Sequence, residues 1–318
     1  MAAERAGGRR QGRTASAGPH GASAGPQGAA HHLASRPRRG YDAGVTDRPE
    51  TSDYRVPRAS EIELLRWQGS ALALCDEADL ISMAGFRRDI RIDTKPDRSY
   101  VTEVDRAIES MVRRHLHAAY PGCGIFGEEE GIDTPDARVC WYVDPIDATH
   151  NYMRGVPIFA TLLAVAVDGE VQVGVVSAPA LRERWVAWRG GGAWRGSDRI
   201  RVSGVANIEE SAVFYGSRTD DARSGLLPGL DATLAGAWRE RGFGDFWGYM
   251  LVAEGAGEAM IETGAHPWDW AAPQIIVEEA GGRFTTSAGE RRIDGASAVA
   301  SNGLVHDELL RRLLNRRA

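Results

Sequence analysis

From Ser60 to about Phe86 the stretch SEIELLRWQGSALALCDEADLISMAGF repeats apolar residues at the three-and-four spacing of one helical face. Ser60 and Glu63 have the pattern of a capping box at its start. VTEVDRAIESMVRRHLHAAY predicts a second amphipathic helix, closed by Pro121-Gly122. The period then changes. GCGIFG and RVCWYVD predict short buried strands, and PIFATLLAVAVDGEVQVGVVSAPA holds two apolar runs around Asp168-Gly169, a hairpin signature. ERWVAWRGGGAWRGSDRIRVS continues in strands with glycines at the turns. Beyond Ser203, GDFWGYMLVAEGAGEAMIE predicts a helix and then a strand. WDWAAPQIIVEEAGGRFTT predicts a helix, a Gly-Gly stop and a strand, and HDELLRRLLNRR a closing amphipathic helix. Strands alternating with helices in this way favour layered α/β packing, with a division near residues 185 to 205 that gives subdomains 54–195 and 196–318. No internal repeat is present.

Residues 1 to about 53 break this pattern. They are rich in Gly, Ala, Ser, Pro and Arg and almost lack large apolar side chains, so burial cannot offset their ordering entropy. This segment is expected to be disordered, or an extension from a misplaced start. Its early Arg pair is followed by no apolar h-region, which argues against a secretory or twin-arginine signal. His31-His32 could bind a metal, although such a pair in a tail of this kind commonly does nothing.

The remaining composition narrows the functional classes. A net charge of −6 argues against a nucleic-acid binder that relies on phosphate contacts. Cys75, Cys123 and Cys140 have no CxxC spacing, which points to a reducing compartment and away from a zinc site or a disulfide framework. No apolar run approaches a membrane span. A soluble, cytoplasmic chain is expected.

Three acidic elements each follow an apolar segment: GEEEG (127–131), DPIDAT (144–149) and PWDWAA (267–272). Each alone has an ordinary account, because Asp favours helix N-caps and Glu the first helical turn. Together they suggest more. Asp144 and Asp147 flank Pro145, which limits how far the two carboxylates can splay. If Asp144 ends a strand and Thr149 opens a helix, the acids meet at a strand's carboxyl end, where open α/β sheets bind ligands. Backbone N–H groups of a helix starting near Ala148 would face an anion. Hard oxygen ligands suit Mg²⁺, and no His/Cys set competes.

In this order and spacing, GEE, DPIDAT.NY and PWDWAA resemble the inositol monophosphatase family of Mg²⁺-dependent, lithium-sensitive phosphatases, from about residue 57 to the C-terminus. The resemblance implies alternating α-β-α-β-α layers, as in fructose-1,6-bisphosphatase-like folds, and a homodimer. It implies two or three Mg²⁺ ions. Glu128, Asp144 and the carbonyl of Ile146 would hold the first, and Asp144, Asp147 and Asp269 the second. Glu128 and Thr149 would position the attacking water, with Thr149 supported by Asp105. The N–H groups of Ala148 and Thr149 would grip the phosphate of a small phosphorylated metabolite. Lys95 matches a family lysine at the site's mouth, Glu129 would assist the metal shell, and Glu130 would be an exposed acid.

Within the family the chain is most similar to the bacterial histidinol-phosphatase branch, in KPDRSYVTEVDRAIE, NYMRGVPIFATLLAV and above all GDFWGYMLVAEG. That branch acts in histidine biosynthesis. Asp245 could pair with an ammonium or imidazolium group, while Phe246 and Trp247 could stack on a ring or serve simply as core. Arg241 matches a family arginine near the substrate, and Glu262 a position that contacts hydroxyls in inositol phosphatases. Ala148 replaces the usual glycine, which is harmless to the backbone if its φ is negative, as at a helix start, while a methyl near the phosphate could narrow the pocket. His150 stands where the branch usually has lysine; it is either a titratable phosphate neighbour or a helix-surface histidine. An inositol-1-phosphate or broad sugar-phosphate phosphatase is the nearest rival reading. A non-catalytic metal-binding homologue is the rival from another class.

Overall fold

The structure, a computed structural model, describes residues 59–96 and 99–315. The predictions for the N-terminal tail, His31-His32 included, lie outside the described residues.

Helices α1 (Glu61–Gly85) and α2 (Glu103–Ala119) are joined through the small hairpin β1 (Ile92–Thr94) and β2 (Tyr100–Thr102). The capping box holds: Ser60 N–H donates to Glu63 Oε2 at 2.8 Å, and Glu63 N–H to Ser60 Oγ at 3.3 Å. Next come β3 (Gly124–Gly127), β4 (Gly131–Asp133), β5 (Val139–Asp147), α3 (Thr149–Met153), β6 (Ala160–Val167), β7 (Glu170–Ala178), β8 (Glu183–Trp188), β9 (Gly192–Arg195) and β10 (Asp198–Ile200). These strands form one sheet in the order β10-β9-β8-β7-β6-β5-β3-β4. The β6–β7 turn has positive φ at both Asp168 (50°) and Gly169 (82°), the geometry that suits a two-residue hairpin.

The second sheet follows a short 3₁₀ turn at Ile208–Glu210. Its chain order is β11 (Ala212–Tyr215), α4 (Arg218–Ser224), α5 (Leu230–Gly236), β12 (Arg239–Arg241), α6 (Asp245–Ala253), β13 (Ala259–Thr263), α7 (Pro267–Glu279), β14 (Arg283–Thr285), β15 (Ser297–Ser301) and α8 (His306–Leu313). The strands lie in the order β12-β11-β13-β15-β14.

Strand alternation builds the layers. Along β5, Cys140 and Tyr142 face one core while Trp141 and Val143 face another. Trp141 and Val143 pack with α1 and α2. Cys140 and Tyr142 share a core with α6 and α7, which also receives Phe214, Met260 and Phe284 from the second sheet. The opposite face of that sheet, with Val213, Ile261 and Val299, packs on Leu230, Leu234, Leu309 and Leu313 of α5 and α8. The sequence is therefore α-β-α-β-α, as expected. Gly174 on β7 lets α7 approach closely, since a Cβ there would lie 2.5 Å from Ile275 Cγ2.

The helix after the second acidic motif differs from expectation. It spans only five residues, and Ala148 at its start is left-handed, with φ 65° and ψ 47°. The negative φ that would have made the alanine harmless is not present.

Candidate active site

In a regular strand, residues three apart point to opposite faces. Asp144 and Asp147 escape this rule because β5 bulges between them: Asp144 pairs with Leu162, whereas Asp147 pairs with Ala160. The extra residue returns both carboxylates to one side. The bulge is held by Thr161, whose hydroxyl donates to the Pro145 carbonyl at 2.8 Å. Asp269 arrives from the first turn of α7, where it caps the helix by accepting His266 N–H at 2.6 Å. Ligand oxygens of Asp144, Asp147 and Asp269 lie within 4.8 Å of one another.

No cation among the described residues is paired with this trio. Burial, reinforced by the charges of Glu128, Asp147 and Asp269, drives the Asp144 carboxyl well above the usual carboxylate range. Burial does the same to Asp147, aided by Asp245 and Asp269. Asp269 is pushed up to about 7, chiefly by burial and against its bond from His266. Asp144 Oδ1 is buried without a hydrogen-bond partner. An orphaned carboxylate oxygen among three converging acids, with no His or Cys in the group, fits a hard divalent cation. Such an ion would be held by Asp144, Asp147 and Asp269.

The three acids open into a cavity of about 900 Å³. Of the residues predicted from sequence, Glu128, Asp144, Ile146, Asp147, Ala148, Thr149, Asp245, Glu262 and Asp269 all line it. Glu128 is not in the tight trio. Its Oε1 accepts Lys95 Nζ at 2.9 Å, and the same ammonium reaches Glu129 Oε1 at 2.8 Å. Burial raises Glu129 to about 7, and Lys95 opposes this. Thr149 donates its hydroxyl to Ile146 O at 2.9 Å and towards Asp105 Oδ1 at 3.4 Å. Asp105 sits behind the cavity wall, fully buried and raised to about 6 by that burial, while the Thr102 backbone and hydroxyl donate to it.

Further acids line the cavity, and two of them, Asp245 and Glu262, lie close enough to act on Asp147. Asp220, Asp245 and Glu262 line the cavity together with His150, His266 and Trp268. Glu262 Oε2 accepts Tyr249 OH at 2.9 Å and Trp270 Nε1–H at 3.2 Å, and burial pushes its carboxyl up to about 8. Asp245 is raised by burial, with His150 opposing, and is held at φ 56°. His150 packs edge-on against Tyr100, with ring centroids 5.5 Å apart.

Two predicted contacts fall outside the cavity. Arg241 is exposed at the end of β12, and its guanidinium donates to the Glu240 carbonyl at 2.7 Å. Trp247 packs on Phe243, with centroids 4.7 Å apart, and so takes the core role, whereas the buried Phe246 does reach the cavity. Sequence reasoning missed Trp268, Tyr249 and Asp220, which no local pattern distinguishes from core or surface. It also missed Glu109 and Arg113, whose successive four-residue steps from Asp105 put them on one helix face without marking them as buried.

A bulged strand end, a left-handed turn and a capped helix that deliver acids to one cavity define a class. The chain matches the model of the inositol monophosphatase family over residues 66–317 and belongs to that family of phosphoric monoester hydrolases. Among its relatives is the histidinol-phosphatase of Mycobacterium tuberculosis, 48% identical over 249 residues that span 76% of this chain and 96% of that one. The histidinol-phosphatase of Streptomyces coelicolor is 43% identical over 250 residues, 76% of this chain and 94% of its own. Among solved structures, a Thermotoga maritima IMPase superposes with a TM-score of 0.72 at 31% identity, covering 80% of this chain and 98% of the other.

Proposed function

We propose that this cavity hydrolyses L-histidinol phosphate to L-histidinol and phosphate with the help of Mg²⁺. The observation that carries the hydrolytic reading is the trio of buried Asp144 and Asp147 with half-buried Asp269, and its unpartnered Asp144 oxygen. Asp144, Asp147 and Asp269 would bind one Mg²⁺, and Glu128, Asp144 and the Ile146 carbonyl another. When bound, the ions supply positive charge against the phosphate and lower the pKa of the attacking water. Thr149 has its hydroxyl proton directed to Ile146 and Asp105, which leaves an oxygen lone pair to accept a hydrogen from that water. Glu128, which lines the same cavity, would help to orient that water. The N–H groups of Ala148 and Thr149 would hold the phosphate oxygens.

The substrate assignment rests on charge. Beyond the trio, the wall carries Asp220, Asp245 and Glu262. Burial favours the neutral forms of Asp245 and Glu262 in the empty site, and the ammonium or imidazolium of a histidinol leaving group would draw them into their charged forms. The identity to two histidinol-phosphatases supports the same choice. The second reading, an inositol-1-phosphate phosphatase, draws on Glu262, whose carboxylate faces the cavity and could accept sugar hydroxyls. Turnover of histidinol phosphate and inositol 1-phosphate at equal Mg²⁺ separates them. A strong preference for inositol phosphate overturns the substrate assignment, and no turnover of either supports a non-catalytic homologue.

The same proposal includes a cytoplasmic homodimer of two subdomains, divided near residue 196. Three buried free thiols suit a reducing compartment. The division is supported by sheets that occupy residues 124–200 and 212–301. Sedimentation equilibrium tests the dimer, and a monomer at micromolar concentration overturns it.

A further inference from the structure

Helix α2 reaches the site twice from one face. Asp105, Glu109 and Arg113 recur every fourth residue and so stack one turn above the next. Asp105 receives the Thr149 hydroxyl. Glu109, fully buried one turn on, receives the backbone of the GEEEG turn: Glu129 N–H donates to Oε2 at 2.7 Å and Glu130 N–H to Oε1 at 2.9 Å. Arg113 Nε donates to Glu109 Oε1 at 2.8 Å, and Arg113 Nη2 donates to the Gly131 carbonyl. The turn that carries Glu128 thus hangs from α2 by three main-chain bonds.

Gly127 provides an independent sign of how tightly the two are joined. A Cβ at this position would lie 2.1 Å from Glu109 Oε1 and 2.6 Å from Arg113 Nη2. The buried carboxylate is therefore pressed against the end of β3, one residue before Glu128. Three successive acids repel one another, and Lys95 answers only Glu128 and Glu129. Glu128 is held on its near side by its N–H bond to the Val143 carbonyl at 3.2 Å and by Lys95, and the turn that follows it is held through the amides bound by Glu109.

Resting on the phosphatase reading of this cavity, we propose that Glu109 is a positioning residue: by pinning the amides of residues 129 and 130, it fixes Glu128 and thereby sets the affinity of the acidic site for its divalent cation. A glutamine at 109 preserves shape but offers only one acceptor oxygen, so one of the two amides loses its partner whichever way the side-chain amide turns.

The test is calorimetric titration of Mg²⁺ into the full chain and into Glu109→Gln without substrate, followed by kinetics across Mg²⁺ concentrations. Partners of metal ligands commonly alter affinity roughly 10- to 100-fold, and a weakening in that range is expected. The kcat should recover at saturating Mg²⁺ and the KM for the phosphate ester should stay unchanged. A variant that loses thermal stability yet binds Mg²⁺ like the parent overturns the proposal, leaving Glu109 a purely structural residue. If Glu109→Gln does not fold, Arg113→Gln, which frees the Gly131 carbonyl, is titrated instead: weakened binding supports the proposal and unchanged binding overturns it. A parent chain that binds no Mg²⁺ overturns the phosphatase reading itself, and the proposal with it.

Discussion

The carboxylate of Asp147 accepts the backbone N–H of Phe246 at 2.7 Å, joining the end of β5 to the first turn of α6 across 99 residues of sequence. One side chain therefore belongs both to the acidic trio and to the turn that carries Asp245. In Asp147→Asn the amide oxygen can still receive Phe246, so the fold should survive, but the charge is gone. Activity is expected to fall by roughly three orders of magnitude. The metal-free thermal midpoint should stay level or rise, because a repelling charge has left the trio. Near-parental turnover in this variant would refute the cation assignment.

Asp245 sits at φ 56°, a left-handed conformation that asparagine also tolerates. Asp245→Asn should thus keep its backbone while removing one acid from the cavity lining. With histidinol phosphate, KM is expected to rise about tenfold, equivalent to about 1.4 kcal/mol, and with inositol 1-phosphate hardly at all. Equal changes for both substrates would remove Asp245 from cation recognition.

Ala148, at φ 65°, holds a conformation costing a non-glycine residue about 1 kcal/mol or more. Ala148→Gly relieves that strain but makes the unfolded chain more flexible, which returns part of the gain. A net stabilisation of roughly 0.5 kcal/mol is expected in denaturant titrations. Ala148→Val should destabilise, since a branched side chain is still less at ease there. The opposite order would mean that the turn adopts another conformation.

His306 is fully buried, and burial lowers its imidazole to about 4. Thr285 Oγ1 donates to the Thr286 carbonyl, so it must accept from Nε2–H, while the Ser301 hydroxyl donates to Nδ1. Because the folded pKa lies below the unfolded one, the unfolded chain binds the extra proton between about pH 6.5 and 4. Stability from this residue is complete above pH 6.5 and drains away as pH falls towards 4, by an amount on the order of 3 kcal/mol. His306→Gln should flatten the slope of unfolding free energy across that window relative to the parent. Identical slopes would show that the ring is already charged when folded.

The long elements were readable for two reasons: α1 and α2 repeat apolar residues along one face, whereas β5, β6, β7 and α7 are nearly continuous apolar runs buried on both faces. Short strands fared unevenly: β3, β13 and β14 were marked by flanking glycines or a preceding helix, whereas β1, β12 and β15 have too few positions to carry a period and were not read. The acids of the site were legible as motifs, yet their convergence depends on a bulge between Asp144 and Asp147, which the strand rule alone would have put on opposite faces. The left-handed Ala148 was hidden by its chemistry, because nothing about an alanine advertises positive φ. Glu109 was hidden in another way. It lies in an amphipathic helix, where a buried acid looks like one more surface charge until its main-chain partners are known.

Asp144 and Asp147 close a strand of the first sheet, whereas Asp269 opens the helix that follows a strand of the second. A cation gripped by all three would be a removable cross-link between the two sheets. At a concentration a hundred times its dissociation constant it would add about 2.7 kcal/mol to the folded state. Amide hydrogens in the first turns of α6 and α7 would then exchange with solvent more slowly in magnesium than in chelator, and proteases would cut the chain less readily. The ion that the chemistry requires would also be the fastener of the molecule's two halves.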